Sequence, residues 1–498
     1  MNQYWNKIWS QFKKRPLGVL GLYVVALFCL IGVYAPFLAS SKPLFVIYDG
    51  EAYFPLFRYL FYRGFFTKRL DIFFNIMMFT LPLLLIALKC LKAKQRSIAV
   101  ISIILIQSAA FAYLAVRTPQ DPAADPTLNK ERHLALQNLR KEGVHQDWDF
   151  ELRYMTPYAK LNMLLRYQQR KAQNESLEHY STVYGGPLPT LWNENERHED
   201  LEVAQLKEVI QRNQIAGTES SVEARSAKSQ LNFLHEKQHW LEEGSKKLRF
   251  TIMPLLSHFH WEDDAGGEQK LNQYLHWWQL TRINHKDLLA GLIFGVRISL
   301  VVGITAVGLA MLIGIPVGAL AGFYGGRTDI VVSRLLEIWE AMPTFFMLLM
   351  VVAILQSKSI FIVICVIGIF GWTTFSRYIR GEFFKQRSLP YVEACRAQGF
   401  QNGHVMFKHI LPNAIPPVLT LLPFAIMGAI TSEAGLSFLG LGEEGSCSWG
   451  VLMDEGRTAF PQESYLLWPP AIALTLLLIA IAIVGDSLRD ALDPKTYL

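Results

Sequence analysis

The chain has 498 residues and a net charge of +6, with 51% hydrophobic but only 18% charged residues. A soluble protein carries about 25% charged residues, so an ordinary soluble enzyme is excluded. The average hides two populations: positions 118–285 hold 44 of the Asp, Glu, Lys and Arg residues and ten of the twelve histidines. The pattern is that of a membrane protein with a water-soluble insert. The basic balance does not point to nucleic acid, because the cations flank apolar runs, as Lys13, Lys14 and Arg15 precede Leu17. Such flanks mark the cytoplasmic side of membrane spans. The cysteines are Cys29, Cys90, Cys365, Cys395 and Cys447, with none in the insert and no CxxC pair, so the insert is not disulfide-built.

A span needs about 20 mostly apolar residues. The first expected span is Leu17–Ala39, too long for the apolar core of a signal peptide and without an A-x-A cleavage site. An extracytoplasmic stretch 40–71 follows, then a hairpin, 72–117, made of about 72–91 and 97–116 around the basic turn Lys92 to Arg96. A turn in the cytoplasm sends 118–285 outside. Five more spans are expected at about 296–322, 334–356, 359–378, 416–439 and 468–486, with 379–415 and both termini cytoplasmic. The fold class is therefore an all-α polytopic membrane protein of about eight transmembrane helices with a mainly helical extracytoplasmic insert.

The insert has apolar residues at near-helical spacing, which predicts amphipathic helices around 199–216 and 219–248. Tyr184 to Trp192 reads as a loop, and the aromatic stretch Phe259–Trp278 suits a membrane surface. In the span 296–322, Ala306, Ala310, Gly314, Gly318 and Gly322 recur at every fourth position. They form a shallow stripe that lets a second helix approach closely, within this subunit or from a partner. Pro316, Pro343, Pro417 and Pro423 mark kinks or helix starts. Arg297 is expected to snorkel to the membrane surface. Glu433, an acid inside an apolar span, is a candidate for the pathway or a subunit interface, and so is Pro343.

In the cytoplasmic segment, a short helix over Tyr391–Gln398 is expected to end at Gly399, where a left-handed residue costs least. A turn at Gln401 to Gly403 leads to a second helix from His404, expected to stop near Leu411-Pro412. From the residues alone this is either a docking knob or an ordinary loop. Its pattern Glu393-Ala394-Cys395-x3-Gly399-x11-Leu411-Pro412 resembles the EAA loop of ABC-importer permease subunits, with Cys395 for the usual second Ala and His409 where the general consensus has Ile.

The run His409 to Ala414 is similar to the peptide-importer branch. So are Lys13 to Leu17, Gly295 to Leu300, Gly322 to Asp329, Glu337-Ile338-Trp339, Met342-Pro343-Thr344, Glu433 to Gly442, Ser448-Trp449-Gly450 and Leu488 to Pro494. Asp49 to Phe57 resembles the oligopeptide and microcin C subgroup. Two departures stand out. Only Thr281 and Asp287 match the usual stretch before the second core span, and the extra hairpin and the insert are not expected in most members.

The resemblance implies a six-helix importer-permease core, its later five spans lying within 286–498, in the bacterial inner membrane. Glu393, Ala394, Gly399, His409, Leu411 and Pro412 would couple to an ATPase subunit. The implied partners are a second homologous permease, two ATPase subunits and an extracytoplasmic peptide-binding protein. ATP and Mg would be used by the ATPases, since this chain has no GxxxxGK[ST] phosphate loop and no cofactor of its own is expected. The resemblance says nothing about the insert, which is separately expected to contact the binding protein or cap the outer mouth. The competing reading is a membrane-anchored zinc peptidase. His235-Glu236-Lys237-Gln238-His239 matches HExxH, with His258, His260 or Glu243 as a third ligand.

Overall fold

The computed structural model describes residues 2–62, 68–117, 120–142, 146–184, 194–218, 221–257, 282–283, 286–355, 358–443, 445–458 and 466–492. In chain order the first elements are α1 (Asn2–Lys13), α2 (Pro16–Val33), α3 (Ala35–Leu38), β1 (Phe45–Tyr48), β2 (Glu51–Tyr53), α4 (Pro55–Tyr59), α5 (Arg69–Cys90) and α6 (Ala93–Val116). The insert adds α7 (Pro126–Glu142), α8 (Trp148–Arg153), α9 (Pro157–Tyr184), α10 (Glu194–Ile215), α11 (Val222–Lys246), β3 (Leu248–Ile252), β4 (Arg282–Ile283) and β5 (Lys286–Asp287). The remainder holds α12 (Leu288–Tyr324), α13 (Gly326–Ala341), α14 (Thr344–Leu355), α15 (Ile360–Gln386), α16 (Pro390–Ala397), α17 (Asn402–His404), α18 (Leu411–Leu419), α19 (Leu422–Leu436), α20 (Trp449–Thr458) and α21 (Trp468–Leu492). Wider π-helical turns occupy Val405–Ile410 and Ser437–Leu441.

Among the described residues, seven helices are long and apolar enough to cross a membrane, or eight if α13 and α14 count as one bent span. That pair replaces the single expected span 334–356: the chain turns by 77° between Gly326–Ala341 and Phe345–Leu355. The break falls at Met342-Pro343, where Pro343 can donate no backbone hydrogen bond. The first span is also shorter than Leu17–Ala39. Its helix ends at Val33, because Pro36 cannot extend it, and Pro36 instead opens α3. Conversely α12 and α15 run past the expected ends, and 379–386 is still helix. The expected span 416–439 is interrupted near Thr420-Leu421, between α18 and α19.

The chain divides into two units, Met1–Val33 with Gly291–Leu498, and Tyr34–Ala290. In the first, Val296, Leu300, Ile430, Trp449, Leu452, Leu477 and Ile481 form a buried cluster, with Val25 and Phe28 against it. Ile8 and Phe12 of α1 pack with Ala491 of α21, and Arg15 pairs with Asp490 at 2.5 Å. The small-residue stripe has its partner inside the chain. A Cβ added at Gly314 would strike the Trp372 carbonyl, one at Gly318 the Ser376 carbonyl, and one at Gly322 the Phe383 side chain, all on α15.

Arg297 corrects the snorkelling expectation. It is fully buried, its Nε donates to the Gly32 carbonyl at 2.7 Å and Nη2 donates to Val33 at 3.3 Å. The last carbonyls of a helix lack intrahelical donors, and Arg297 serves those of α2 while stacking 5.0 Å from the Phe294 ring.

In the second unit α5 and α6 form the hairpin, with Thr80 donating to Gln107 at 2.8 Å and Phe73 edge-on to Phe111. The expected insert helices are present as α10 and α11, and α7, α8 and α9 join them. The unit also holds strands, which the mainly helical reading of the insert did not place. β2, β1 and β3 make an antiparallel sheet, and β4 pairs with β5. The expected loop 184–192 (beyond Tyr184) and the aromatic stretch 259–278 lie outside the described residues.

The stripe yields a paired test. Gly318→Leu should force α12 and α15 apart and cost about 1–3 kcal/mol through overpacking, read as a lowered unfolding midpoint in detergent. Gly308→Leu, where an added Cβ meets nothing within 4 Å, should leave the midpoint in place.

Candidate functional site

The segment after α15 folds into a knob. Pro390 opens α16, where its missing N–H costs nothing. The helix stops at Gly399, whose φ of 79° is left-handed. The Gly399 N–H donates to the Arg396 carbonyl at 2.9 Å and the Phe400 N–H to Cys395 at 3.2 Å. That pair of bonds is the Schellman closure, and glycine adopts its backbone at least cost.

The return is made by α17, the π-turn 405–410 and α18. The second helix does not stop at Leu411-Pro412 as expected. The Leu411 N–H reaches back five residues to Met406, and the widened turn admits Pro412 without ending the helix.

Val392, Val405, Met406 and Ile410 are buried beneath the knob, while Glu393, Ala394, Gly399 and Pro412 face outward; Leu411 and His409 are half-buried. Burial pushes the Tyr391 phenol up, and its hydroxyl donates to Gln386 at 2.9 Å. Arg396 lies over the Phe323 ring at 5.4 Å. A ring stack missed from the sequence caps the knob: Phe400 lies 5.1 Å from His404 and 5.7 Å from His409. His409 Nε2 is buried and has no hydrogen-bond partner. The i, i+4 spacing of Phe400 and His404 was the available signal, but it crosses the turn at Gln401 rather than lying on one helix.

Elsewhere in the same unit, Glu433 is buried. Its Oε1 accepts from Ser437 Oγ at 2.7 Å and from Ser448 Oγ at 2.6 Å. The neighbouring Trp449 donates its indole N–H to the Leu292 carbonyl at 3.0 Å. Gly450 fits against the Ala434 carbonyl, and Gly435 lies near Phe345, two residues after Pro343. The Glu433 to Gly442 and Ser448-Trp449-Gly450 motifs therefore meet in one cluster beside the bent span. The knob residues and this cluster are separate features of the unit.

The HExxH residues sit on α11 in the other unit. Glu236 accepts from the Trp148 backbone N–H at 3.2 Å, and His239 lies 3.7 Å from Glu243 with both side chains exposed. Among the described residues no group of three or more His, Cys, Asp or Glu is placed to hold a metal ion. His258 and His260 lie outside those residues.

Residues 314–497, which include the knob and the Glu433 cluster, match the model of the binding-protein-dependent transport system inner membrane component. Residues 3–55 match that of the N-terminal TM domain of oligopeptide transport permease C. The oligopeptide transport system permease protein OppC of Bacillus subtilis is 35% identical over 221 residues, 44% of this chain and 72% of the relative. The chain belongs to the family of binding-protein-dependent transport system inner membrane components. It is thus a multi-pass inner-membrane permease subunit and not itself an enzyme, and nothing in the comparisons supports the peptidase reading.

The OppC of Haemophilus influenzae is similar at 34% identity over 49% of this permease and 79% of that protein. The peptidoglycan transport system permease protein YejE of Agrobacterium fabrum is 37% identical over 44% of this chain, which spans 57% of that relative's length. A methionine ABC transporter structure aligns over 41% of the chain and 98% of its own at 18% identity and a TM-score of 0.35.

The Glu433 cluster separates a structural from a pathway role. Glu433→Gln keeps an acceptor oxygen for both serines and should retain stability and transport. Glu433→Leu strands two buried hydroxyls, at about 1–3 kcal/mol each, and should lower the unfolding midpoint. Loss of transport by Glu433→Gln at unchanged midpoint would assign the carboxylate to the pathway.

Proposed function

We propose that the permease moves oligopeptides or modified peptides into the cytoplasm as one subunit of an ATP-driven importer. Its partners are a second homologous permease, two ATPase subunits and an extracytoplasmic peptide-binding protein. ATP and Mg are bound by the ATPases, and this chain contributes no cofactor site. The N- and C-termini face the cytoplasm and 118–285 faces outward, in keeping with the cations that flank the spans. The similar relatives, oligopeptide and dipeptide transport permeases of several bacteria, support the peptide class.

The knob carries this reading. Glu393 and Ala394 stand exposed on a short helix rooted by Val392, and Gly399 gives it a sharp end. Such a helix fits a groove on a second protein, with the carboxylate offered to a basic wall. The opening and closing of paired ATPases would then pull on the knob as a rigid body. Gly322, Gly318 and Gly314 hold α15, which leads into the knob, against α12.

Glu393→Lys and Gly399→Pro should each leave membrane insertion intact and weaken ATPase association. Loss of an interface hot spot of about 2 kcal/mol corresponds to roughly 30-fold weaker binding. Co-purification of the ATPase and peptide uptake by proteoliposomes read the effect. Normal values in both variants would remove the knob from coupling.

A further inference from the structure

The β2-β1-β3 sheet has two faces. Val46, Tyr48, Tyr53 and Leu248 turn to one side and pack with Leu161 and Leu165 of α9. Side chains alternate along a strand, so Phe45 and Ile47 turn to the other. There the strand pairing sets Ala52 opposite Ile47 and Ile252 opposite Phe45.

A bulge creates this second face. From Leu248 on the covered side, strict alternation would send Ile252 to that side as well. The register shifts between Phe45 and Ile47, and Phe250 takes a left-handed φ of 50°. One extra residue in the strand extrudes Phe250 and turns Ile252 outward. Ring contacts extend the face from Phe45 to Phe54 (5.3 Å), Phe57 (6.4 Å further) and Phe37 (5.7 Å further). Leu255 lies just beyond β3, next to the Ala39–Leu256 bridge. Exposures are 51% for Phe54, 54% for Ile252, 76% for Phe250 and 81% for Leu255. Arg249, opposite Ile47, adds an exposed cation.

We propose that this face is a foot that rests in the headgroup layer of the bilayer. The Phe37 end of the aromatic strip and the residues that follow α4 are tied to α5, a candidate membrane helix of the same unit. Tyr34, 6.4 Å from Phe37, donates to the Met78 carbonyl at 3.5 Å. Phe61 lies 6.3 Å from Phe79, an exposed ring on the hairpin, and Asn75 donates to the Leu60 carbonyl at 2.6 Å. An apolar surface of this extent marks an interaction site, and this one is continuous with lipid-facing helix. A face of Phe, Ile and Leu with a neighbouring cation is the chemistry that dips into the boundary between headgroups and acyl chains. The strained extrusion of Phe250 gives the sheet an apolar wedge with no place in its core.

The test uses the full chain, expressed with its partner subunits, in native membrane vesicles. Phe250 and Leu255 are each replaced by the photoreactive p-benzoylphenylalanine. Val222, equally exposed at the start of α11 but outside the sheet, serves as control. Irradiation should give phospholipid adducts at Phe250 and Leu255, detected by mass, several-fold above those at Val222. A cross-link to another polypeptide at both positions, or lipid adducts no higher than at Val222, would overturn the foot.

Discussion

A polar group among apolar spans has to find its partner inside the protein, and three such pairings join the permease unit. Arg297 reaches the terminal carbonyls of α2, which Pro36 leaves without a continuing helix. A hydrogen bond to a charged donor contributes about 1.5–3 kcal/mol, and losing it strands a charge in the core. Trp449 reaches the Leu292 carbonyl on the same α12 that carries Arg297. Ser448, next to Trp449, reaches Glu433 on α19. Helices α2, α12 and α19 and the turn before α20 thus share one set of directional contacts. Apolar packing alone would let them slide.

The glycine stripe supplies what those contacts lack, a rigid axis toward the knob. With no Cβ on Gly314, Gly318 and Gly322, the backbone of α15 lies directly on α12. Arg380 pairs with Asp329, Nη2 to Oδ2 at 3.0 Å, and Arg377 pairs with Glu340, so α13 is fastened to the same helix. Arg387 then donates to the Gly322 carbonyl at 3.2 Å just before α16 begins. A displacement of the knob therefore loads α12, α13 and α15 together, and the bend at Pro343 lies at the end of that block. A break between two rigid pieces is where a hinge costs least.

What could be read from the sequence follows from how local each cause is. Apolar runs of about 20 residues and the stop at Gly399 act within one segment, so the spans and the first half of the knob were legible. The π-turn at Val405–Ile410 was not, because Pro412 normally ends a helix and only a wider turn removes the conflict. Arg297 was misjudged because its partners, Gly32 and Val33, lie more than 260 positions away. Glu433, Ser437 and Ser448 were all visible in motifs, and the bond from Ser437 is local at four residues, yet the bond from Ser448 depends on a turn whose path no periodicity encodes. The stripe was legible as a stripe, and its partner α15 was not, since small residues record close approach without naming the neighbour.

The insert looks like an addition in the sequence, but its contacts make it part of the stretch that precedes it. β1, before the hairpin, takes β3, at the end of the insert helices, as its partner. Lys42 is buried, donates to Asn162 at 3.2 Å and lies 5.1 Å from the Tyr59 ring. Asn162 donates to the Tyr59 hydroxyl, which donates to Asp121. Burial first, and the Asp121 carboxylate second, push the Tyr59 phenol up. With no cysteine in the insert, this buried network and the Val46–Leu161–Leu165 core hold the unit together without disulfides. The hairpin is therefore enclosed between two segments that must find each other. Pairing of β1 with β3 closes the chain around the hairpin and so ties hairpin and insert into one unit.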